Sequence, residues 1–119
     1  MTIGKEIGLS ALMGQTMEEC GELIVACSKV QRIFDVVNPP RCTMEEALKS
    51  LEEEATDVDN CLTRIREMGI STFNADLFVE KLRRWEDSVE AAKEIYMNKP
   101  AETCFCLDDV HDHSGLLEE

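Results

Sequence analysis

Apolar side chains recur at helical spacing along three separate segments of this chain, with alternating steps of three and four residues in the first two. In the first segment, from about residue 7 to 34, they are Cys20, Leu23, Cys27, Val30 and Phe34. In the second they are Leu48, Leu51, Ala55, Val58, Leu62 and Ile65, and in the third Leu77, Phe78, Leu82, Trp85 and Val89. Such steps place successive side chains on one face of an α-helix. The pattern predicts three amphipathic helices, in which Cys20 and Cys27 are expected to be small core residues.

Turn and capping residues separate the three segments. Asn38-Pro39-Pro40 ends the first, because proline cannot continue a helix and restricts the residue before it. Thr43 and Glu46 have the spacing of a capping box, which predicts the start of the second helix. Gly69 is a favourable residue at a helix end. The third helix is expected to run from about residue 72 to 97.

Short connections between the three helices predict an all-α fold, an antiparallel helical bundle. We expect this helical domain to occupy residues 1–100. Residues 101–119 contain six acidic residues and no Lys or Arg, which predicts a poorly ordered acidic tail. The tail also holds two thiols and two imidazoles, types that zinc favours, at spacings shorter than those of familiar zinc modules: Cys104, Cys106, His111 and His113.

Charge and composition restrict the partners of the chain. The formal net charge of −13 argues against binding to nucleic acid, whose phosphates require clustered Lys and Arg. No segment has the roughly 20 apolar residues that span a bilayer, and the first residues lack the pattern of a signal peptide. We therefore expect no membrane association, a cytoplasmic location and reduced thiols. The apolar stripes are too broad for one chain to bury, which predicts a homodimer or homotetramer.

Two pairs of acidic residues lie beside the stripes of the first two helices. Glu19 and Glu22 each directly precede a stripe residue, and so do Glu54 and Asp57. Because each pair is three residues apart and flanks its stripe on the same side, packing of the helices is expected to bring four carboxylates together. Like charges at short distance raise one another's pKa unless a cation lies among them. An all-oxygen site with room for water suits Mg²⁺, with Mn²⁺ as the alternative.

The residues around these acids resemble a known family. Glu18-Glu19-Cys20-Gly21-Glu22 and Glu53-Glu54-Ala55-Thr56-Asp57 are similar to the EExxE…ExxD signature of the MazG-like, all-α nucleoside triphosphate pyrophosphohydrolases. Lys81-Leu82-Arg83-Arg84-Trp85 is similar to a basic segment that the family tends to place in its third helix. The resemblance covers roughly residues 7–90 and looks closest to short phage and bacterial members.

The resemblance implies a reaction and a set of site residues. Members of the family cleave a nucleoside triphosphate between its α- and β-phosphates and release a nucleoside monophosphate and pyrophosphate. The implied metal ligands are Glu19, Glu22, Glu54 and Asp57. Lys81 and Arg84 match the basic positions that serve the phosphates in the family.

Further candidates follow from their positions in the sequence. Glu18 and Glu53 adjoin the implied ligands, where either is able to orient or deprotonate the attacking water. Lys29 and Arg32 lie beyond Glu22 on the first helix, and both are candidate phosphate contacts. Asn60, one turn after Asp57, is a candidate contact to the sugar or base. For the four cations and Glu53, the alternative is an ordinary solvated surface.

Two other functions stay open at this point. In a chain with 25 acidic residues, such pairs also arise by chance on solvated faces, and the protein is then a non-enzymatic acidic interaction module. The other alternative is a related metal-dependent phosphohydrolase that acts on a different nucleotide.

Overall fold

The structure is a computed structural model that describes residues 2–97. These residues form four α-helices: α1 (Ile3–Ile7), α2 (Leu9–Ile33), α3 (Met44–Glu67) and α4 (Ala75–Met97). Residues 2–97 contain no strand, so the predicted all-α class is confirmed. The predictions for the tail, including zinc binding by Cys104, Cys106, His111 and His113, lie outside the described residues.

Gly8 separates α2 from a short helix that precedes it. Its φ of 86° and ψ of 158° lie in a region that residues with a side chain rarely adopt. The backbone turns there, so α1 is a separate short helix and α2 begins at Leu9. The predicted first helix, from about residue 7 to 34, corresponds to α2 within two residues at each end, whereas α1 was not predicted.

Side-chain hydrogen bonds define the segment between α2 and α3. Thr43 Oγ1 accepts a hydrogen bond from the backbone N–H of Glu46 at 3.1 Å, which confirms the predicted start of α3. Arg32 Nε donates to the backbone carbonyl of Asn38 at 3.0 Å and so ties the end of α2 to the loop. Gly69, with a φ of 83°, follows the end of α3 as predicted.

The helices α2 and α3 pack together as an antiparallel pair. Buried or half-buried positions recur at steps of four and three on both helices. On α2 they are Leu12, Thr16, Glu19, Leu23, Ala26, Val30 and Ile33. On α3 and its C-cap they are Ala47, Leu51, Glu54, Val58, Cys61, Ile65 and Met68. This spacing is typical of helices that pack lengthwise, and we call the contact surface the α2–α3 seam.

The seam corrects the predicted orientation of α2. Leu12 and Ala26 are buried, whereas Cys20 and Cys27, which were expected in the core, are exposed. Glu19 therefore lies within the seam and not beside it. Periodicity was misleading here because α2 carries apolar residues on two neighbouring faces, and spacing alone does not say which face meets α3.

The chain divides into two compact units, Met1–Thr72 and Phe73–Glu119. In the second unit, Asn74 Oδ1 accepts a hydrogen bond from the backbone N–H of Leu77 at 2.9 Å, and α4 begins at Ala75. The helix therefore begins three residues later than predicted. That α4 joins α2 and α3 in one bundle stays a prediction. None of the helices between residues 2 and 97 has the length and apolar character needed to cross a membrane.

Candidate metal centre

Three carboxylates from two helices meet near the middle of the α2–α3 seam. One carboxylate oxygen from each of Glu19, Glu54 and Asp57 lies within 4.8 Å of the others. Ligand oxygens around an octahedral Mg²⁺ with bonds of about 2.0–2.1 Å lie about 2.9–4.2 Å apart. Small side-chain adjustments would bring the three oxygens into this range. We call these three residues the acidic triad, and their geometry fits a hard divalent cation that prefers oxygen ligands.

Glu54 is the member of the acidic triad on which burial and charge act together. Partial burial in the seam raises the pKa of its carboxyl above the ordinary value of 4.5, and the charges of Glu22, Asp57, Glu19 and Glu53 raise it further, in that order. Glu22 thus acts on the triad electrostatically, although it is not one of the three whose oxygens converge. A cation bound among these carboxylates would oppose the rise in pKa.

Gln15 supports the acidic triad from one turn earlier on α2. Its Nε2 donates a hydrogen bond to Glu19 Oε1 at 2.7 Å. This bond orients the Glu19 carboxylate and leaves the second oxygen available to a ligand. The sequence analysis missed Gln15, although its position four residues before Glu19 was the available signal.

The other acidic candidates lie close to the triad in sequence. Glu18 and Glu53 are both exposed. Glu53 lines a shallow surface depression together with Glu52, Thr56 and Asp57. Their proposed action on the attacking water stays a prediction.

The basic candidates have different surroundings. Lys29 is half-buried on α2, and Arg32 is occupied by its bonds to the loop, which favours a structural role for that side chain. Lys81 and Arg84 are exposed on α4, in the second unit, where Arg84 forms an ion pair with Glu80. Their contact with phosphate stays a prediction.

Asn60 lines a cleft of about 200 Å³ that begins at Glu19 and Asp57 and follows α3 toward its C-terminal end. The predicted contact of Asn60 with sugar or base therefore has a suitable place beside the triad. Arg64 lines the same cleft, and the sequence analysis missed it.

Comparison with family models, with curated proteins and with solved structures finds no match for this chain. The family resemblance therefore depends on the sequence motifs quoted above, and the activity that it implies stays a prediction.

The raised pKa of Glu54 predicts how the metal-free protein responds to pH. The folded chain binds the proton of the Glu54 carboxyl more tightly than the unfolded chain does. The stability gained from this difference is present below pH 4.5 and is lost as the pH rises through the raised pKa. At neutral pH and in EDTA, we expect Glu54→Gln to unfold at a higher urea concentration than the wild type.

Urea unfolding followed by circular dichroism across a pH series checks this expectation. The advantage of Glu54→Gln should shrink as the pH falls toward 4.5, where the wild-type carboxyl becomes protonated. Glu45→Gln removes an exposed charge from the same helix and serves as the control. An equal gain in both variants at every pH would show that general charge, and not the triad, is responsible.

Proposed function

We propose that this protein is a Mg²⁺-dependent nucleoside triphosphate pyrophosphohydrolase of the MazG-like type, with Mn²⁺ as the alternative ion. The observation that carries the proposal is the convergence of Glu19, Glu54 and Asp57 in the seam. Glu22, whose charge raises the pKa of Glu54, completes the proposed ligand set. The two sequence motifs that resemble the family contain all four residues.

The chain's own residues define how the reaction would proceed. When bound, Mg²⁺ would supply positive charge for the triphosphate and increase the acidity of the attacking water. The water oxygen attacks the α-phosphorus, the bond from that phosphorus to the bridging oxygen breaks, and pyrophosphate leaves. We propose that Glu53, exposed and adjacent to Glu54, accepts the proton of the water, with Glu18 as the second candidate.

Charge supports the need for a cation in this site. The chain has 25 acidic and 12 basic residues, so an anionic triphosphate is repelled unless positive charge lies between it and the carboxylates. For the same reason we propose no nucleic-acid partner. The four cysteines between residues 2 and 97, Cys20, Cys27, Cys42 and Cys61, are free thiols, in keeping with the cytoplasmic location that we propose.

The direct test is pyrophosphate release from a panel of ribo- and deoxyribonucleoside triphosphates, with Mg²⁺, with Mn²⁺ and in EDTA. We expect metal-dependent release of pyrophosphate and the matching monophosphate from at least one triphosphate. Diphosphates and nucleotide-sugars in the same panel test the related phosphohydrolase. If the folded protein cleaves none of these with any metal, the interaction module takes the place of the enzyme.

We also propose that a second copy of the chain covers an exposed stripe on α2. This outer stripe repeats at steps of four and three, as the seam does, and all of its members except the half-buried Met13 are exposed: Met13, Met17, Cys20, Ile24, Cys27 and Gln31. It has no charged side chain and is about 27 Å long at 1.5 Å per residue. Met17 and Ile24 are 70% and 69% exposed, and a depression of about 610 Å³ surrounds Ile24.

The composition of the outer stripe favours a copy of the same chain as the occupant. An uncharged helical face with this period packs well against an identical face, since neither side then buries an unpaired charge. The acidic surface elsewhere repels further copies, which favours a closed dimer. Whether dimers pair into a tetramer depends on surfaces beyond this stripe.

A further inference from the structure

The cleft beside the acidic triad has apolar walls and a polar edge. Ile3 and Ile7 on α1 form one wall with Leu12 at the start of α2. The two isoleucines are 43% and 48% exposed, so apolar surface remains open toward a ligand. One end of the cleft reaches the triad through Glu19 and Asp57. A molecule in the cleft would therefore touch apolar surface at one end and the proposed metal ligands at the other.

Two glycines hold α1 in the position that forms this wall. Gly4 is buried, and a Cβ atom there would collide with the side chain of Met68 at the end of α3. Gly8 supplies the left-handed backbone turn that leads from α1 into α2. The wall is thus built by the fold, since these two positions bring Ile3 and Ile7 against the α2–α3 pair.

The polar edge of the cleft carries a cation whose hydrogen-bonding capacity is not filled. Arg64 pairs with Glu67 through Nη2 at 3.2 Å, but its Nε is buried and has no hydrogen-bond partner among residues 2–97. Arg64 is the single cation among the residues that line the cleft. Because a guanidinium has donors and no acceptor, it suits a carbonyl oxygen on a ligand. Asn60 offers both a donor and an acceptor nearby.

We propose that this cleft binds the single-ring base of a pyrimidine nucleotide, with Arg64 and Asn60 at the polar edge of the ring and the isoleucines of α1 against its face. The volume of about 200 Å³ lies below the roughly 300–1,000 Å³ of sites that enclose a drug-sized ligand, so the cleft suits a base and not a whole nucleotide, and a single-ring base is the smaller fit. Every pyrimidine base of RNA and DNA has a carbonyl group for Arg64. The sugar and phosphates then extend toward Glu19 and Asp57.

This inference rests on the proposed function, because it assigns the base of the same substrate. Its test uses nucleosides, which have no phosphate and need no metal. Uridine, thymidine and cytidine are titrated into the full chain in EDTA, with adenosine and guanosine for comparison, while the methyl signals of Ile3 and Ile7 are followed by NMR. We expect saturable shifts of both methyl signals with at least one pyrimidine nucleoside and weaker binding of the purines.

Two variants test whether the nucleoside binds in the cleft. Arg64→Met keeps the aliphatic part of the side chain and should weaken nucleoside binding about tenfold, the effect of one hydrogen bond from a charged donor. Asn60→Ala changes an exposed position and should weaken nucleoside binding less. It tests the polar edge of the cleft if Arg64→Met does not fold. Arg66→Met, two residues along α3 and outside the cleft, is the control and should leave binding unchanged.

The outcomes separate this inference from the proposed function. The inference is overturned if no nucleoside shifts the isoleucine methyl signals, if purines bind as well as pyrimidines, or if both folded cleft variants bind as the wild type does. None of these results depends on triphosphate cleavage. Conversely, nucleoside binding that Arg64→Met and Asn60→Ala weaken would support the cleft even if no triphosphate were hydrolysed, and only the proposed reaction would then fail.

Discussion

Glu54→Gln is expected to lower kcat/KM for Mg²⁺-dependent pyrophosphate release by about 10²- to 10³-fold, the effect of removing several kcal/mol of metal-based stabilisation. Glu54 is the half-buried α3 member of the acidic triad, and it lies in the α2–α3 seam close to oxygens of Glu19 and Asp57. Glutamine has the same shape but brings no negative charge, so it preserves the packing and removes the attraction for the cation. Initial rates with the best triphosphate from the panel measure the effect.

The effect of the same substitution on stability should reverse its sign when metal is added. In EDTA, Glu54→Gln is expected to be the more stable protein, because it removes repulsion among the triad carboxylates. In Mg²⁺, the wild type should gain stability by binding the ion in its native state only, by about 2.7 kcal/mol at a hundred times the dissociation constant. The variant should gain much less.

Glu45→Gln is the matched control for both measurements, since Glu45 is exposed in the first turn of α3, nine residues before Glu54, and lies outside the triad. It should retain wild-type activity and the full gain in stability with Mg²⁺. Equal loss of activity in both variants, or a metal-dependent gain that survives Glu54→Gln, would contradict the assignment of the triad as the metal centre. The reversal of sign is a sharp criterion because simple misfolding lowers stability with and without metal.

Local signals in the sequence predicted the ends of α3 well. Thr43 and Glu46 form the expected N-terminal cap, and Gly69 has the positive φ that a helix end often requires. These features depend on residues a few positions apart, so the sequence contains nearly all of the information. The same holds for Glu54 and Asp57, one helical turn apart, whose neighbourhood follows from helix geometry alone.

Features that depend on contacts between helices were harder to predict. The apolar residues of α2 lie on two faces, and only packing against α3 selects the face of Leu12 and Ala26 over that of Cys20 and Cys27. The cleft was missed for a similar reason. In the sequence, Arg64 resembles an ordinary surface cation near a helix end. Its buried Nε, and the cleft that it lines with Ile3 and Ile7 of α1, depend on the folded structure.

The second large effect is expected on self-association of the chain through the face of α2 that does not contact α3. Ile24→Glu should raise the dissociation constant of the dimer by at least about 100-fold, because burying an unpaired carboxylate costs roughly 3 kcal/mol or more. Ile24 lies in the middle of the outer stripe and is 69% exposed, so the substitution should leave the fold of the chain intact. Sedimentation equilibrium over a range of concentrations measures the change.

Val36→Glu provides the matched control, since it places the same charge at an apolar residue that is 94% exposed in the loop after α2 and outside the stripe. It should associate as the wild type does. A wild type that is monomeric, or a dimer that Ile24→Glu leaves unchanged, would contradict the proposed partner and assign the stripe to another segment of the same chain. If Ile24→Glu yields a folded monomer, pyrophosphate release by that monomer shows whether the second copy also completes the site around the acidic triad.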